Sequence, residues 1–348
     1  MEIQRIEVTE LSLSGSALQT CYWAQVKQNM GWKPYAFKVQ LQEESFTVLV
    51  LVKSMLYLFS LAYIPFAPRI NSLSLVHTES FLKEFCKQLR HVLPRTAFTL
   101  RLDLPFEEIN DENVLELRSS KFRMCKESVQ PEATVRIDLK WGYKAVTIGY
   151  RDRAKRALRK TSQDFEVGQA SKDAASFKRW YAIYLETARR DGFSARSASY
   201  LRSLLEIGQG EDSAVYCKLL LATMKRKIVG GIIVLFSPYE AVYLYGASKR
   251  LDGVSCSYVL QDYAIRMACE RGCSYYDLYG ICGPKERGSH LKGLEVFKLA
   301  FGGQPYYRTP STDYVYHPLV WHAYSISEKM RYRFKRRVKL QEGDQPNS

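Results

Sequence analysis

No two of the eight cysteines stand in CxxC spacing, so the zinc-ribbon and thioredoxin patterns are both missing. Only Cys269/Cys273 and Cys273/Cys282 lie close together. A chain of 348 residues buries a core without covalent staples, so reduced, buried thiols in a cytoplasmic protein are the expectation. Histidine is scarce, five residues scattered along the chain, and neither a metal centre nor covalent catalysis is expected. Acidic residues are outnumbered, 36 against 51 basic, leaving a net charge of +15. That excess favours polyanionic partners: nucleic acid, phosphate-bearing substrates or an anionic membrane face. The opening residues, MEIQRIEVTELSLSGS, lack a charged stretch followed by an apolar core, so no signal peptide is expected. Long apolar runs are missing except at Phe46–Phe66, which Lys53 interrupts and which is rich in Val, Phe, Tyr and Thr. It reads as two successive buried strands rather than a membrane span.

What remains is ordinary globular material, 46% apolar and 25% charged, of a length that suggests two domains at about 150 residues each. Hydrophobic periodicity gives one order of elements twice. In the first half, a helix at Ala17–Gln28 precedes strands at Tyr35–Leu41, Ser45–Val52 and Ser54–Tyr63. An amphipathic helix at Thr78–Val92 and a strand at Phe98–Leu102 complete the set. In the second half, a helix at Ala175–Arg190 stops at Gly192, and strands follow at Val215–Met224, Ile228–Phe236 and Ala241–Ser248. A helix at Ser257–Arg271, ended by Gly272, leads to a strand at Ser274–Leu278. Helix, three strands, helix, strand is the order of a GNAT-type acyltransferase module. The expected fold is therefore α/β with mixed sheets, in two tandem GNAT-like domains without a coiled-coil arm. Residues 1–140 plus 305–340 are assigned to the first, 141–304 to the second, and 341–348 to a disordered tail.

Two charge clusters stand out. Residues 151–160, RDRAKRALRK, hold six cations in ten positions. On a helix, Arg153, Arg156 and Lys160 fall on one face, with Arg159 beside them, a row able to meet successive phosphates or merely a solvated face. Residues 331–339 hold six cations and no acid. A coenzyme A cradle needs a glycine-rich loop between strand and helix, where backbone N–H groups meet the pyrophosphate. The corresponding loop, KRLDGVSCS at 249–257, has one glycine, which argues against coenzyme A while keeping the fold.

Several further blocks recur in a telling order: QTCYWAQVKQNMGW (Gln19–Trp32), AYIPFAP (Ala62–Pro68), AFTLRLD (Ala97–Asp103) and the basic helix. DGFSARSASY (Asp191–Tyr200), VYLYGAS (Val242–Ser248), ERGCSYYDLYGI (Glu270–Ile281) and GLEVFKLAFGG (Gly293–Gly303) follow. Taken together over residues 19–303, the chain resembles the Fem-type (FemABX) peptidoglycan peptidyltransferases. The resemblance implies transfer of an amino acid from aminoacyl-tRNA, with no further cofactor, to the stem-peptide amine of UDP-MurNAc-pentapeptide or lipid II. It also implies a cytoplasmic enzyme, monomeric and in peripheral contact with the inner membrane face.

Roles follow position by position. Lys27 and Arg196 match residues that hold the precursor's phosphates; read alone, Lys27 is a cation in a helix's last turn and Arg196 a loop arginine. Asp103 is matched to orienting or deprotonating the attacking amine, against a strand-end carboxylate before Pro105. Phe98 stands on the same strand, where relatives often have tyrosine. Tyr243 and Tyr245, two apart, are expected on one strand face toward substrate. Phe297 and Lys298 match the pair at the aminoacyl end of the tRNA, where an ammonium stabilises the oxyanion of ester aminolysis. Gly283–Gly293, with His290, reads as a candidate lid or an ordinary surface loop. An acyl-CoA N-acyltransferase acting on another amine, and a non-catalytic RNA- or membrane-surface binder, are the alternatives.

Overall fold

The computed structural model describes residues 1–41, 44–55, 58–68, 75–105, 117, 119–171, 173–208, 213–282 and 292–343. The expected lid at 283–293 falls almost wholly outside them, His290 included.

The first half supplies β1 (Glu2–Ile6), α1 (Cys21–Asn29), β2 (Lys33–Leu41), β3 (Glu44–Met55), β4 (Phe59–Ile64), α2 (Leu75–Val92) and β5 (Ala97–Leu102). Next come β6 (Phe122–Met124), β7 (Ala133–Asp138), α3 (Gly142–Ile148), α4 (Asp152–Thr161), β8 (Glu166–Gln169), α5 (Ala174–Asp191) and α6 (Ala198–Glu206). The rest is β9 (Tyr216–Met224), β10 (Lys227–Phe236), β11 (Glu240–Ser248), α7 (Cys256–Glu270), β12 (Tyr275–Gly280), α8 (Lys292–Leu299), β13 (Gln304–Tyr307), β14 (Thr312–Val315) and α9 (Pro318–Gly343). The helices begin where the sequence offers caps: Thr20, Asp173 and Ser255 accept backbone N–H groups at the starts of α1, α5 and α7. α5 stops where Gly192 turns left-handed, at φ 67°.

Two seven-stranded sheets result, ordered β1-β2-β3-β4-β5-β14-β6 and β13-β7-β12-β11-β10-β9-β8. In each, a run of four antiparallel strands ends on one parallel partner, β4 beside β5 and β11 beside β12. The repeated element order is therefore a repeated sheet. Its boundaries differ from those drawn by pattern: Ala133–Asp138 and Gln304–Tyr307 pair in the second sheet, so the chain changes sheets at 125–132 and returns at 308–311. Short strands at crossovers carry too little apolar alternation to reveal which sheet they join. Within the run Phe46–Phe66 the described strands are β3 and β4, with β3 extending past Lys53 to Met55 rather than ending at Val52 and β4 spanning Phe59–Ile64. Among the described residues no helix is long and apolar enough to cross a membrane. The expected tail is helical through Gly343, and residues 344–348 lie outside the description.

Three apolar layers hold the sheets. α2 covers the outer face of the first, with Phe81, Leu82, Phe85 and Leu89 buried there. α4, α7 and the α8 side cover one face of the second. Between them lies a core to which α1, β3, β4, α5, α6, β9 and β11 all contribute, so neither half buries its inner face alone. Trp180 sits at its centre, fully buried, stacked on Tyr184 and donating to the Gly231 carbonyl at 3.0 Å. Glycine at 231 is required, since a Cβ there would come within 2.7 Å of the Trp180 ring.

Candidate active site

The geometry starts from sheet strands that part. β11 and β12 pair only over Glu240–Val242 and Tyr275–Asp277, and beyond that point they separate into a wedge. A register shift between Asp277 and Gly280 disturbs the pairing of β12 with β7, and Tyr279 within it holds φ 62°. Such a conformation is uncommon for a tyrosine and is tolerated where neighbours over-determine it. Here they do, because Asp277 accepts the Tyr279 backbone N–H at 2.7 Å while Lys298 from α8 reaches the carbonyls of Tyr279 and Gly280 at 3.2 and 2.6 Å.

Lys298 is 3% exposed. Burial lowers its pKa to about 7, against the pull of the Asp277 charge. Two of its three N–H bonds are committed to carbonyls, leaving one for a developing oxyanion. Asp277 is itself buried. Burial works against its charge, but Arg308, at 2.9 Å, and Arg136 overcome that and hold the carboxyl below its ordinary range, with Thr134 donating as well.

Asp103 lies just past β5, anchored by its N–H to the Ile64 carbonyl at 3.0 Å. It is 4% exposed, and its carboxylate accepts from Tyr63 and Ser311. Burial raises its pKa to about 6, and the two hydroxyl donors restrain the rise. The Tyr63 hydroxyl in turn accepts from Gln130 at 3.1 Å, and the carbonyl oxygen of Gln130 accepts from Tyr279. Asp103 of the first domain and the Lys298 wedge of the second are thus joined through one glutamine on the crossover between the sheets.

A second group gathers at the end of α1. Lys27, at the end of α1, is covered by Trp23 and Tyr200, 4.6 and 5.7 Å from its Nζ to the ring centroids. Burial and the neighbouring Arg196 lower its pKa to about 8. Arg196 interacts electrostatically with Tyr245, whose hydroxyl lies 3.5 Å from that of Tyr200. Tyr200 and Tyr245 both interact electrostatically with Tyr279, so the aromatic lining runs from the cation pair to the wedge.

The residues singled out by sequence therefore divide. Lys27, Arg196 and Tyr245 come together, and Asp103 and Lys298 share one network. Tyr243 and Tyr245 do not share a face. The β10–β11 register shifts between Ile233 and Val234, so one extra residue on β11 separates the two. Tyr245 consequently packs into the core between the domains, while Tyr243 packs on the α7 side with its ring 5.7 Å from the Lys298 ammonium. Phe297 packs against Tyr258 and Phe301 and fixes α8 rather than touching the network. Phe98 is 1% exposed against Tyr324 and joins neither group. On α4, Arg153, Arg156, Arg159 and Lys160 are all exposed, and Arg153 also donates to the Tyr258 hydroxyl at 2.9 Å. Lys160 lies close to Gly253, in the single-glycine loop before α7.

Sequence reasoning missed Tyr63, Gln130, Asp277, Tyr279, Arg308 and Ser311. Tyr63, Asp277 and Tyr279 stood within blocks already noted; Gln130, Arg308 and Ser311 lie in crossovers with no periodic signal at all. A cleft of about 820 Å³ opens beside them, lined by Arg136, Arg308, Tyr306, Gln19 and the Ser12–Ser16 segment.

Residues 216–329 match the FemAB family model. The solved structure of FemX superposes with a TM-score of 0.74 at 18% identity, covering 93% of this chain and 100% of that one. The C-terminal domain of a putative lysylphosphatidylglycerol synthetase from Agrobacterium fabrum is similar at a TM-score of 0.51 and 12% identity, over 88% of each chain. A tandem GNAT protein from the clavulanic acid biosynthesis pathway scores 0.50 at 12% identity, over 90% of this chain and 97% of that one. No curated protein matches in sequence. The two domains are tandem GNAT-like units, and the resemblance read from scattered motifs is borne out in fold and in the FemAB match.

Proposed function

We propose that this protein is an aminoacyltransferase of the Fem type, moving an amino acid from aminoacyl-tRNA to the stem-peptide amine of a peptidoglycan precursor. The observation that carries the reading is the Asp103–Tyr63–Gln130–Tyr279 chain, which brings a carboxylate with raised pKa into one network with the wedge of a buried lysine with lowered pKa. Groups with pKa values moved toward neutrality in opposite directions suit proton transfer at that pH.

In this reading Lys27 and Arg196 hold the precursor's diphosphate, and the aromatic lining guides its amine toward Asp103. Asp103 takes the ammonium proton, and the free amine attacks the ester carbonyl carbon. Lys298 donates a hydrogen bond to the oxyanion as the C–N bond forms. Collapse breaks the ester C–O bond; Lys298 gives a proton to the departing ribose oxygen and takes up the second proton that the nitrogen sheds, leaving a neutral amide and a charged Lys298. Positioning of the two substrates supplies much of the acceleration. Arg156, Arg159 and Lys160 meet tRNA phosphates, with Arg153 spent partly on Tyr258.

The test is product mass after mixing the protein with a pool of charged tRNAs and UDP-MurNAc-pentapeptide, then with the lipid-linked acceptor. A gain of one amino-acid residue that ribonuclease abolishes is expected. No gain with either acceptor, together with saturable coenzyme A binding, would overturn the reading in favour of an acyl-CoA enzyme.

A further inference from the structure

α9 has two faces that differ in what they meet. Its inner face is committed: Val320, Trp321 and Tyr324 pack into the core between the domains, and Trp321 donates to Asp313 at 2.8 Å. Glu328 pairs with the buried Arg101 at 2.9 Å, which fixes the rotation of the helix about its axis. The outer face is therefore set as well, and it is apolar. Leu319 is 88% exposed, Ile326 44% and Met330 66%. At 100° per residue these three fall within about 40° of one another.

The borders of that stripe are cationic, with Lys329 on one side and Arg331 on the other. Beyond it the sequence continues as RYRFKRRVK over 331–339, six cations without an acid, while the backbone stays helical to Gly343. An exposed apolar stripe that runs into a polybasic segment matches the two-part chemistry of an anionic bilayer surface. Apolar side chains enter the headgroup boundary, and Lys and Arg meet lipid phosphates. RNA would use the cations but has no use for Leu319, Ile326 and Met330.

The geometry points to α9 as a peripheral membrane anchor, docking its Leu319–Ile326–Met330 face and the following basic segment on a bilayer rich in anionic phospholipid. This holds whether or not the proposed transfer reaction is correct, since no residue of the anchor belongs to the reacting groups.

The experiment is co-sedimentation of the full chain with vesicles of phosphatidylglycerol and phosphatidylcholine, against vesicles of phosphatidylcholine alone. Binding to the anionic vesicles only, weakened by added salt, is expected. The exposed double substitution Ile326→Asp/Met330→Asp should lower the partition coefficient about tenfold with an unchanged melting curve. A second variant, with Gln at Arg333, Arg336 and Arg337, should lower it comparably. Equal binding by the Ile326→Asp/Met330→Asp protein would overturn the proposal. So would binding to tRNA through this segment without any binding to vesicles.

Discussion

Asp103 and Lys298 are each buried at a cost that a purely structural residue would avoid. With Asp103 near 6 and Lys298 near 7, the transfer rate should rise through about pH 6 and fall through about pH 7. A pH–rate profile without those two limbs would remove both from the chemistry. Stability gives a separate readout. The folded pKa of Asp103 lies above its unfolded value, so its favourable contribution is complete below about 4 and is lost as pH rises through about 6. Asp103→Asn should therefore stabilise the fold by about 2–3 kcal/mol at neutral pH, with no gain at pH 3.5, measured by denaturant unfolding. The residue types and their order were legible in the sequence, because Asp103 and Lys298 sit in blocks with recognisable neighbours. Their pKa values were not, since burial comes from side chains distant in the chain.

At the scale of elements, α4 and β11 show where periodicity succeeds and where it fails. α4 is helical as its spacing demands, with Ala154 buried and the exposed cations on the opposite side. Replacing Arg156 and Lys160 by Gln should raise KM for aminoacyl-tRNA at least tenfold and leave kcat nearly unchanged. The slope of log affinity against log salt should shrink by about 1–2, as expected for the loss of about two phosphate contacts. An unchanged slope would mean that the helix is only a solvated face. On β11 the rule of alternation put Tyr243 and Tyr245 together, and a bulge parted them. A bulge is a property of two strands in register against each other, so one strand's sequence does not announce it.

The whole molecule is two repeats that share one core. Because α1, α5 and α6 fill the same layer, the chain should unfold in a single calorimetric transition. Trp180→Ala should destabilise it by about 3–5 kcal/mol without splitting that transition. Two separate transitions would show that the halves fold alone. Gln130 tests the same unity in function, since it joins Tyr63 of one domain to Tyr279 of the other. Gln130→Leu should reduce kcat about tenfold to a hundredfold with KM little changed, at a stability cost of about 1–3 kcal/mol. A wild-type kcat would make the bridge merely structural.

By itself the amino-acid order determined the repeat of helix, three strands, helix and strand. It also determined that α5 and α7 end at Gly192 and Gly272, and the basic character of α4 and of the segment after Arg331. These follow from interactions within a few residues, and such interactions are written locally. Only the tertiary structure decided which sheet the crossover strands join, which face Tyr243 takes, and that Gln130 connects the two domains. It alone exposed Leu319, Ile326 and Met330 along one side of α9. Those features depend on register between distant strands and on water excluded by distant side chains, and neither leaves a periodic mark on the segment concerned.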